Sequence, residues 1–170
     1  MPTYKAIAST TVGAGGASSI TFSSIPQTYT DLVLLVSART DRASTQDDFT
    51  LEYNGTTTNG SMRRLYGTGS AAGSDLDSGL QRMGYIDGGN ATASTFGNTM
   101  LYIPNYTSSN NKSSSSDGVA ETNATNVNMA MIANLWSNTA AITSIKLTPD
   151  RKSTRLNSSH EWISRMPSSA

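Results

Sequence analysis

The stretch YTDLVLLVSART, Tyr29–Thr40, gives the strongest indication of fold in this sequence. Its centre, Leu32–Val36, is an uninterrupted apolar run with polar residues on both sides. Periodicity alone leaves a buried helix open as an alternative, but the short length and the β-branched content favour a strand. We therefore predict a central strand that is covered on both faces.

The segments on either side of this run alternate apolar and polar residues, which is the pattern of half-buried strands. Ser18–Ile25 alternates and then reaches Pro26, so it predicts a strand that ends at a turn. Phe49–Gly55 alternates as well and stops at an Asn-Gly pair. Because both residues tolerate positive φ, this pair predicts a tight hairpin turn.

Further strand-like segments continue along the chain as far as Pro149. They are Thr3–Thr10, Ser61–Gly69, Gly79–Asn90, Ser94–Tyr106, Asn126–Asn138 and Ala141–Pro149. Two polar stretches, Gly69–Gly79 and Thr107–Gly118, are predicted to be loops because their composition is Gly/Ser-rich and of low complexity. About eight strands with no useful helical period predict an all-β fold, a single antiparallel β-sandwich of jelly-roll type.

Composition excludes several classes of protein. The 170 residues include no Cys, so a thiolate nucleophile, a disulfide framework and a Cys-ligated metal are ruled out. The first residues lack the basic flank and apolar core of a signal peptide, and no apolar run approaches the ~18 residues of a membrane helix. No basic stripe with interleaved aromatic residues is present. We expect neither a nucleic-acid partner nor insertion into a membrane.

The last residues, Asp150–Ala170, differ in character from the rest and contain the single His of the chain, His160. Asp150–His160 resembles the in-frame translation of a constant block of a common sequencing-library adapter. Ile163–Ala170 resembles the block that follows the variable index of that adapter. We therefore expect a β-sandwich domain over residues 1–149, followed by a non-native, adapter-derived tail over residues 150–170.

This interpretation of the tail has three consequences. Without His160, no Ser-His-Asp triad and no His-ligated metal site remains. The charged residues of 1–149 then give a mildly acidic domain. The final strand of the sandwich is expected to be missing, so the tail should pack poorly and any strand within it should be incidental. Its first residues, Arg151–Leu156, are expected to extend the strand that contains Lys146–Thr148.

Paired carboxylates are the remaining groups for acid–base catalysis of the kind that glycosidases use. The candidates are Asp47, Asp48, Asp75, Asp77, Asp87, Asp117 and Glu121. All but Glu121 lie in loop-like sequence without an apolar pocket that would raise a pKa, so we interpret them as solvated acids and predict no catalytic residue. Ser74–Gly79 is only a fragment of a calcium-binding pattern. We predict no metal site, no cofactor and no enzymatic activity.

Aromatic side chains offer a candidate binding surface, because carbohydrate sites use aromatic faces. Tyr102 and Trp136 occupy strand positions and are expected in the core. Tyr106 lies beside a polar loop and is the better candidate for the surface. We predict a glycan-contact surface formed by Tyr106, Tyr66 and Tyr85.

A family resemblance lies in the segments SIPQTYTDLVLLVSART, FTLEYNG, YIPNYTSSNNK and WSNTAAITSIKL. Through them the chain resembles small structural proteins of tailed bacteriophages, over Tyr29 to Pro149. The resemblance implies a non-enzymatic tail-fibre or capsid-appendage module of a virion, with other virion proteins and further copies of itself as partners. A carbohydrate-binding module that binds a host surface glycan is the alternative.

Overall fold

A computed structural model of the chain describes residues 4–122, 127–149 and 156–166. These ranges contain strands and turns and no helix, which confirms the all-β prediction. None of the described residues belongs to a helix that could cross a membrane. The strands are β1 (Lys5–Thr10), β2 (Ile20–Phe22), β3 (Asp31–Thr40), β4 (Gln46–Tyr53), β5 (Gly60–Gly67), β6 (Ala72–Asp77), β7 (Gln81–Asp87), β8 (Gly97–Ile103), β9 (Lys112–Glu121), β10 (Val127–Trp136), β11 (Ile145–Pro149) and β12 (Leu156–Met166).

All the strands belong to one mixed sheet with two parts. The order along its main path is β2-β11-β4-β7-β3-β8-β9-β10-β5-β6, and β12 joins β3 to β1 beside that path. The link between β7 and β3 is a single parallel bridge, Arg39 to Asp87, whereas the other neighbours form antiparallel ladders. We call β2, β11, β4 and β7 the short arm, and β3, β8, β9, β10, β5 and β6 the long arm.

The two arms pack on each other and enclose the core. Leu32, Leu34 and Val36 of β3 lie in one buried cluster with side chains of the short arm such as Phe49 and Leu147. A second cluster joins Tyr85 of the short arm to β5, β9 and β10 of the long arm. Burial of apolar side chains contributes about 25 cal/mol per Å² of area removed from water, so these two clusters are the main source of stability.

The apolar run in β3 confirms the predicted central strand, but it is not covered equally on both faces. Leu32, Leu34 and Val36 are almost completely buried in the core, and Val33 is buried on the opposite face. Leu35, however, keeps 42 % of its surface exposed. The prediction of complete cover was wrong at this position because Leu35 belongs to a surface of the long arm that no described strand covers.

The predicted count of about eight strands was too low. The described residues form a 12-stranded sheet, and two of its strands, β6 and β9, lie within or overlap the stretches predicted to be loops. In β9 the small side chains of Ser114 and Ser116 fit into the interior while the backbone pairs with β8 and β10 on both sides. Serine is therefore tolerated here because the neighbours define the strand, and composition alone does not reveal it.

The Asn54-Gly55 turn has the predicted backbone. Both residues have positive φ, 52° and 76°, and Tyr53 and Thr56 exchange backbone hydrogen bonds across the turn. The strands on either side of the turn do not form a long hairpin with each other, because β4 pairs with β7 and β11 while β5 pairs with β6 and β10. The Asn54 side chain instead holds the segment before β11: its Nδ2 donates to the Ala141 carbonyl at 2.8 Å and its Oδ1 accepts from the Thr143 N–H at 2.8 Å.

The tail is more regular than predicted. Residues 156–166 form β12, which pairs antiparallel with β3 from Asp31 to Thr40 and with β1 from Lys5 to Thr10. A strand forms here because the edge of β3 offers N–H and C=O groups that a further strand satisfies. That such a strand is incidental and that the tail packs poorly stay predictions. The predicted extension over Arg151–Leu156 lies, apart from Leu156, outside the described residues.

Candidate binding face

The outward side of the long arm carries a large group of exposed apolar side chains. Residues directly opposite each other in a ladder share a face, and the registers place this group on one side of the sheet. We call it the outer apolar face; its members are Leu35, Leu65, Leu76, Met100, Val119, Met129, Met131 and Leu135.

The centre of this face is a row across five neighbouring strands. Leu65, Met131, Asp117, Met100 and Leu35 lie opposite one another in consecutive ladders. Met131 and Leu65 keep 69 % and 65 % of their surfaces exposed. Long flexible apolar side chains on a sheet form a surface that adapts to another surface, and methionine is common at such contacts.

The opposite side of the same strands explains why this face points outward. Ile132 and Ala130 of β10 are buried against Tyr85, so Met131 and Met129 must project to the other side. In this part of the chain β10 is apolar on both faces, and a strand needs only one apolar face to join a core. The alternation along Asn126–Asn138 was visible in the sequence, but it did not show which face would be covered.

Behind the outer apolar face, a chain of alternating charges connects the arms. Asp48 of β4 contacts Arg64 at 2.5 Å and Arg82 at 3.8 Å. Arg64 also binds Asp75 through two hydrogen bonds, of 2.9 and 2.6 Å, and Arg82 lies 3.6 Å from Asp77. We call these five residues the charge chain.

A bulge in the ladder between β4 and β7 directs the Asp48 carboxylate into the space between the two arms. The register between β4 and β7 shifts between Asp48 and Thr50, and Gly84 on β7 has a φ of 114°, which a residue with a side chain rarely adopts. The Gly84 N–H donates to Asp48 Oδ1 at 3.1 Å. Burial raises the pKa of Asp48, while the charges of Arg64 and Arg82 act in the opposite direction.

The charge chain changes the interpretation of three of the candidate acids. Asp48 is buried and lies between two guanidinium groups, so it is not the solvated turn acid that the sequence predicted. Asp75 and Asp77 are on strand β6 and each pairs with an arginine. Each of these acids is engaged by an arginine, and the arrangement serves to join β4, β5, β6 and β7.

The other candidate acids are dispersed. Asp47 is buried beside Thr40 and Arg42, Asp87 is buried at the end of β7, Asp117 is exposed on the outer apolar face, and Glu121 is exposed at the end of β9. Within the described ranges, no group of three or more His, Cys, Asp or Glu residues could hold a metal ion. In Ser74–Gly79, Asp77 Oδ1 accepts a hydrogen bond from the Gly79 N–H at 3.1 Å and so closes a turn.

The three predicted glycan contacts do not form one exposed surface. Tyr106 is completely buried and its hydroxyl donates to the Pro26 carbonyl, so its predicted surface position was wrong; the adjoining polar loop is exposed while the ring turns into the core. Tyr85 keeps only 8 % of its surface exposed, and Tyr66 is half-buried. The Arg64 guanidinium lies 4.7 Å from the ring centre of Tyr85 and 5.9 Å from that of Tyr66.

Trp136 lies in the core, as predicted. It is completely buried, and its ring meets that of Tyr53 edge to face with 5.5 Å between the ring centres. Lys112 is buried nearby, and its Nζ donates to the carbonyls of Ser108 and Asn110. Tyr102 is only half-buried, and its hydroxyl donates to Asp31 at 3.0 Å.

The buried Asp47 gives a prediction for the pH dependence of stability. Burial raises its pKa from 3.8 to about 6, against the hydrogen bonds from the Asp48 N–H and Thr40 and the charge of Arg42. The folded state therefore binds this proton more tightly than the unfolded chain does. Its contribution to the free energy of unfolding, about 3 kcal/mol at most, is complete below pH 4 and is lost as the pH rises through 6.

Urea unfolding of the wild type and of Asp47→Asn between pH 4 and pH 7 measures this contribution. We expect a smaller fall in unfolding free energy across this range for the variant, because the amide does not titrate. Equal falls in the two proteins would contradict the assignment to Asp47.

Comparison with known proteins gives little further information. No protein-family profile matches the sequence, and no curated protein does. An endo-β-1,3-glucanase from Pyrococcus furiosus, a solved structure, matches over 88 % of this chain and 64 % of its own, with 12 % identity and a TM-score of 0.27. The chain thus spans less than two thirds of that enzyme's length, and a likeness of this size carries no argument about fold or function.

Proposed function

We propose that this chain is a non-enzymatic structural module of a bacteriophage virion, on a tail fibre or as a capsid appendage, and that it binds a neighbouring virion protein through the outer apolar face. The face itself is the observation that supports the proposal. Monomeric proteins rarely expose contiguous apolar patches of more than a few hundred Å², and larger patches mark surfaces of interaction.

The chemistry of the face suits a protein partner better than a sugar. Its exposed members are Met, Leu and Val, which give an apolar contact without the aromatic ring and the convergent polar groups that orient a small polar ligand. The charge chain supports the non-enzymatic part of the proposal, because three of the candidate acids are engaged with arginines.

A host glycan is the alternative ligand, and one feature favours it. Tyr66 is half-buried, and beside it lie Arg64 and the partly exposed Asp75, which offer hydrogen bonds to hydroxyl groups. A glycan array that compares the wild type with Tyr66→Ala tests this alternative. Binding that the variant loses would support it, and the absence of any binding would leave the structural role.

The proposal includes the origin of the last residues. Within it, residues 1–149 are the virion-type domain and residues 150–170 derive from a sequencing adapter. An adapter-free reading of the source DNA is the test. If it still encodes Asp150–Ala170, the proposed origin is wrong, and genes for head and tail proteins beside this one would support the virion context. A polysaccharide-utilisation cluster there would contradict that context.

The variant Met131→Lys tests the outer apolar face. When the chain is co-expressed with the structural proteins encoded beside it, we expect the wild type to purify as a complex of fixed stoichiometry, either with one of them or with a further copy of itself. The variant should bind at least about tenfold more weakly, because a charge in an apolar contact must be desolvated.

Ser23→Lys is the matched control, since Ser23 is exposed directly after β2 on the short arm. It should bind like the wild type. Equal binding by Met131→Lys and Ser23→Lys would contradict the role of the face.

A further inference from the structure

We propose that the partner of the outer apolar face is a second copy of this chain, docked face to face about a two-fold axis that lies parallel to the sheet. This inference rests on the proposed function, because it names the partner of the same surface. It is carried by the distribution of charge on that surface.

Arg63 and Asp117 project from the centre of this face, and Glu121 lies on the same side at the end of β9. Arg63 on β5 lies opposite Ala133 of β10, and Asp117 on β9 lies opposite Met131 of β10, so that β10 separates the cation from the anion. Both side chains belong to exposed residues. At its centre the face thus presents one positive and one negative group on either side of an apolar strip formed by β10.

Neither group is neutralised within the described part of the chain. Arg63 donates to the carbonyl of its neighbour Met62 at 2.9 Å, and no ion pair of Arg63 or Asp117 occurs among the described residues. Other exposed or buried cations do have partners: Arg64 binds Asp48 and Asp75, and Lys146 lies 3.3 Å from Glu52. Arg63 and Asp117 are therefore available to pair with groups beyond the described residues.

A two-fold interface uses the same patch on both copies, so that a contact from residue i to residue j occurs twice. A patch with one cation and one anion on opposite sides of an apolar strip is complementary to itself under this symmetry. Arg63 of each copy would face Asp117 of the other, and Met131 and Ala133 of β10 would be buried between the two ion pairs. Complementary charge of this kind fixes the register of an interface and rejects other partners.

Charge reversal tests the arrangement by sedimentation equilibrium of the full chain. We expect the wild type to form a dimer whose population rises with concentration. Arg63→Asp and Asp117→Arg should each raise the dissociation constant by about a hundredfold, because each brings like charges together twice across the interface.

An equimolar mixture of the two variants provides the decisive comparison. One variant then contributes two anions and the other two cations, so both ion pairs reform, and the mixture should dimerise about as tightly as the wild type. Recovery in the mixture also shows that both variants are folded.

A wild type that remains monomeric at high concentration would overturn the inference, as would a mixture that stays as weak as the separate variants. Either result leaves the proposed function standing if Met131→Lys still loses a co-purifying virion protein. If Met131→Lys forms the same complexes as the wild type, both with itself and with neighbouring proteins, the proposed function fails independently.

Discussion

Asp48→Ala should lower the free energy of unfolding by about 3–5 kcal/mol, the usual cost of removing one partner of a buried ion pair. The substitution leaves Arg64 and Arg82 without the carboxylate between them, and their side chains are only 11 % and 10 % exposed. It also removes the acceptor of the Gly84 N–H. Burial raises the pKa of Asp48 because its charge is costly to desolvate, so the loss arises from the arginines that remain.

Asp75→Ala is the matched control for this effect. It removes a different carboxylate from the same Arg64, but the Asp75 side chain is 41 % exposed, so water can replace it. We expect a loss of about 1 kcal/mol or less, as for other exposed pairs. Urea unfolding at pH 7 measures both variants. Similar losses for the two would contradict the view that burial decides the energetics of the charge chain.

A chain that ends at Pro149 should lose the order of β1. In the structure β1 pairs with β12 and with no other described strand, so removal of residues 150–170 leaves the backbone of Lys5–Thr10 without hydrogen-bond partners. Hydrogen exchange should show amide protection in this segment falling to nearly that of an unfolded peptide. The same deletion frees the edge of β3, an apolar strand, and should promote association through that edge.

The amides of β10 are the internal control for this experiment, since β10 lies between β9 and β5, remote from β12. They should remain protected. If Lys5–Thr10 remains protected as well, β1 has another partner in the shortened chain, and the position of β12 between β1 and β3 is not required by the fold.

The sequence predicted those strands whose own side chains determine them. β3, β4 and β10 show apolar runs or alternation, and all three occur where the pattern indicates. β9 escaped prediction because serine side chains carry almost no apolar signal; its position is fixed by the ladders on both sides. β6 escaped for a related reason: Asp75 and Asp77 pair with arginines of β5 and β7, and the composition of the segment does not show these pairs.

The candidate site was less predictable than the fold. Tyr106 stands beside a polar loop in the sequence and is nevertheless buried in the core, whereas Met131 and Leu65 have apolar side chains and stay exposed. Residue type suggests the reverse for each. Exposure in a sheet depends on which face another layer covers, and that is decided by long-range pairing, which local composition does not contain.

The single bridge between β3 and β7 affects how the molecule would carry a mechanical load. A pull that separates the short arm from the long arm at this point is opposed by one backbone bridge, Arg39 to Asp87, by core side chains and by the charge chain. A pull along β3 instead loads the ladders with β8 and β12, whose hydrogen bonds lie across the direction of force and resist it together. The fold would therefore resist force best when it enters along β3, and least when it opens the two arms.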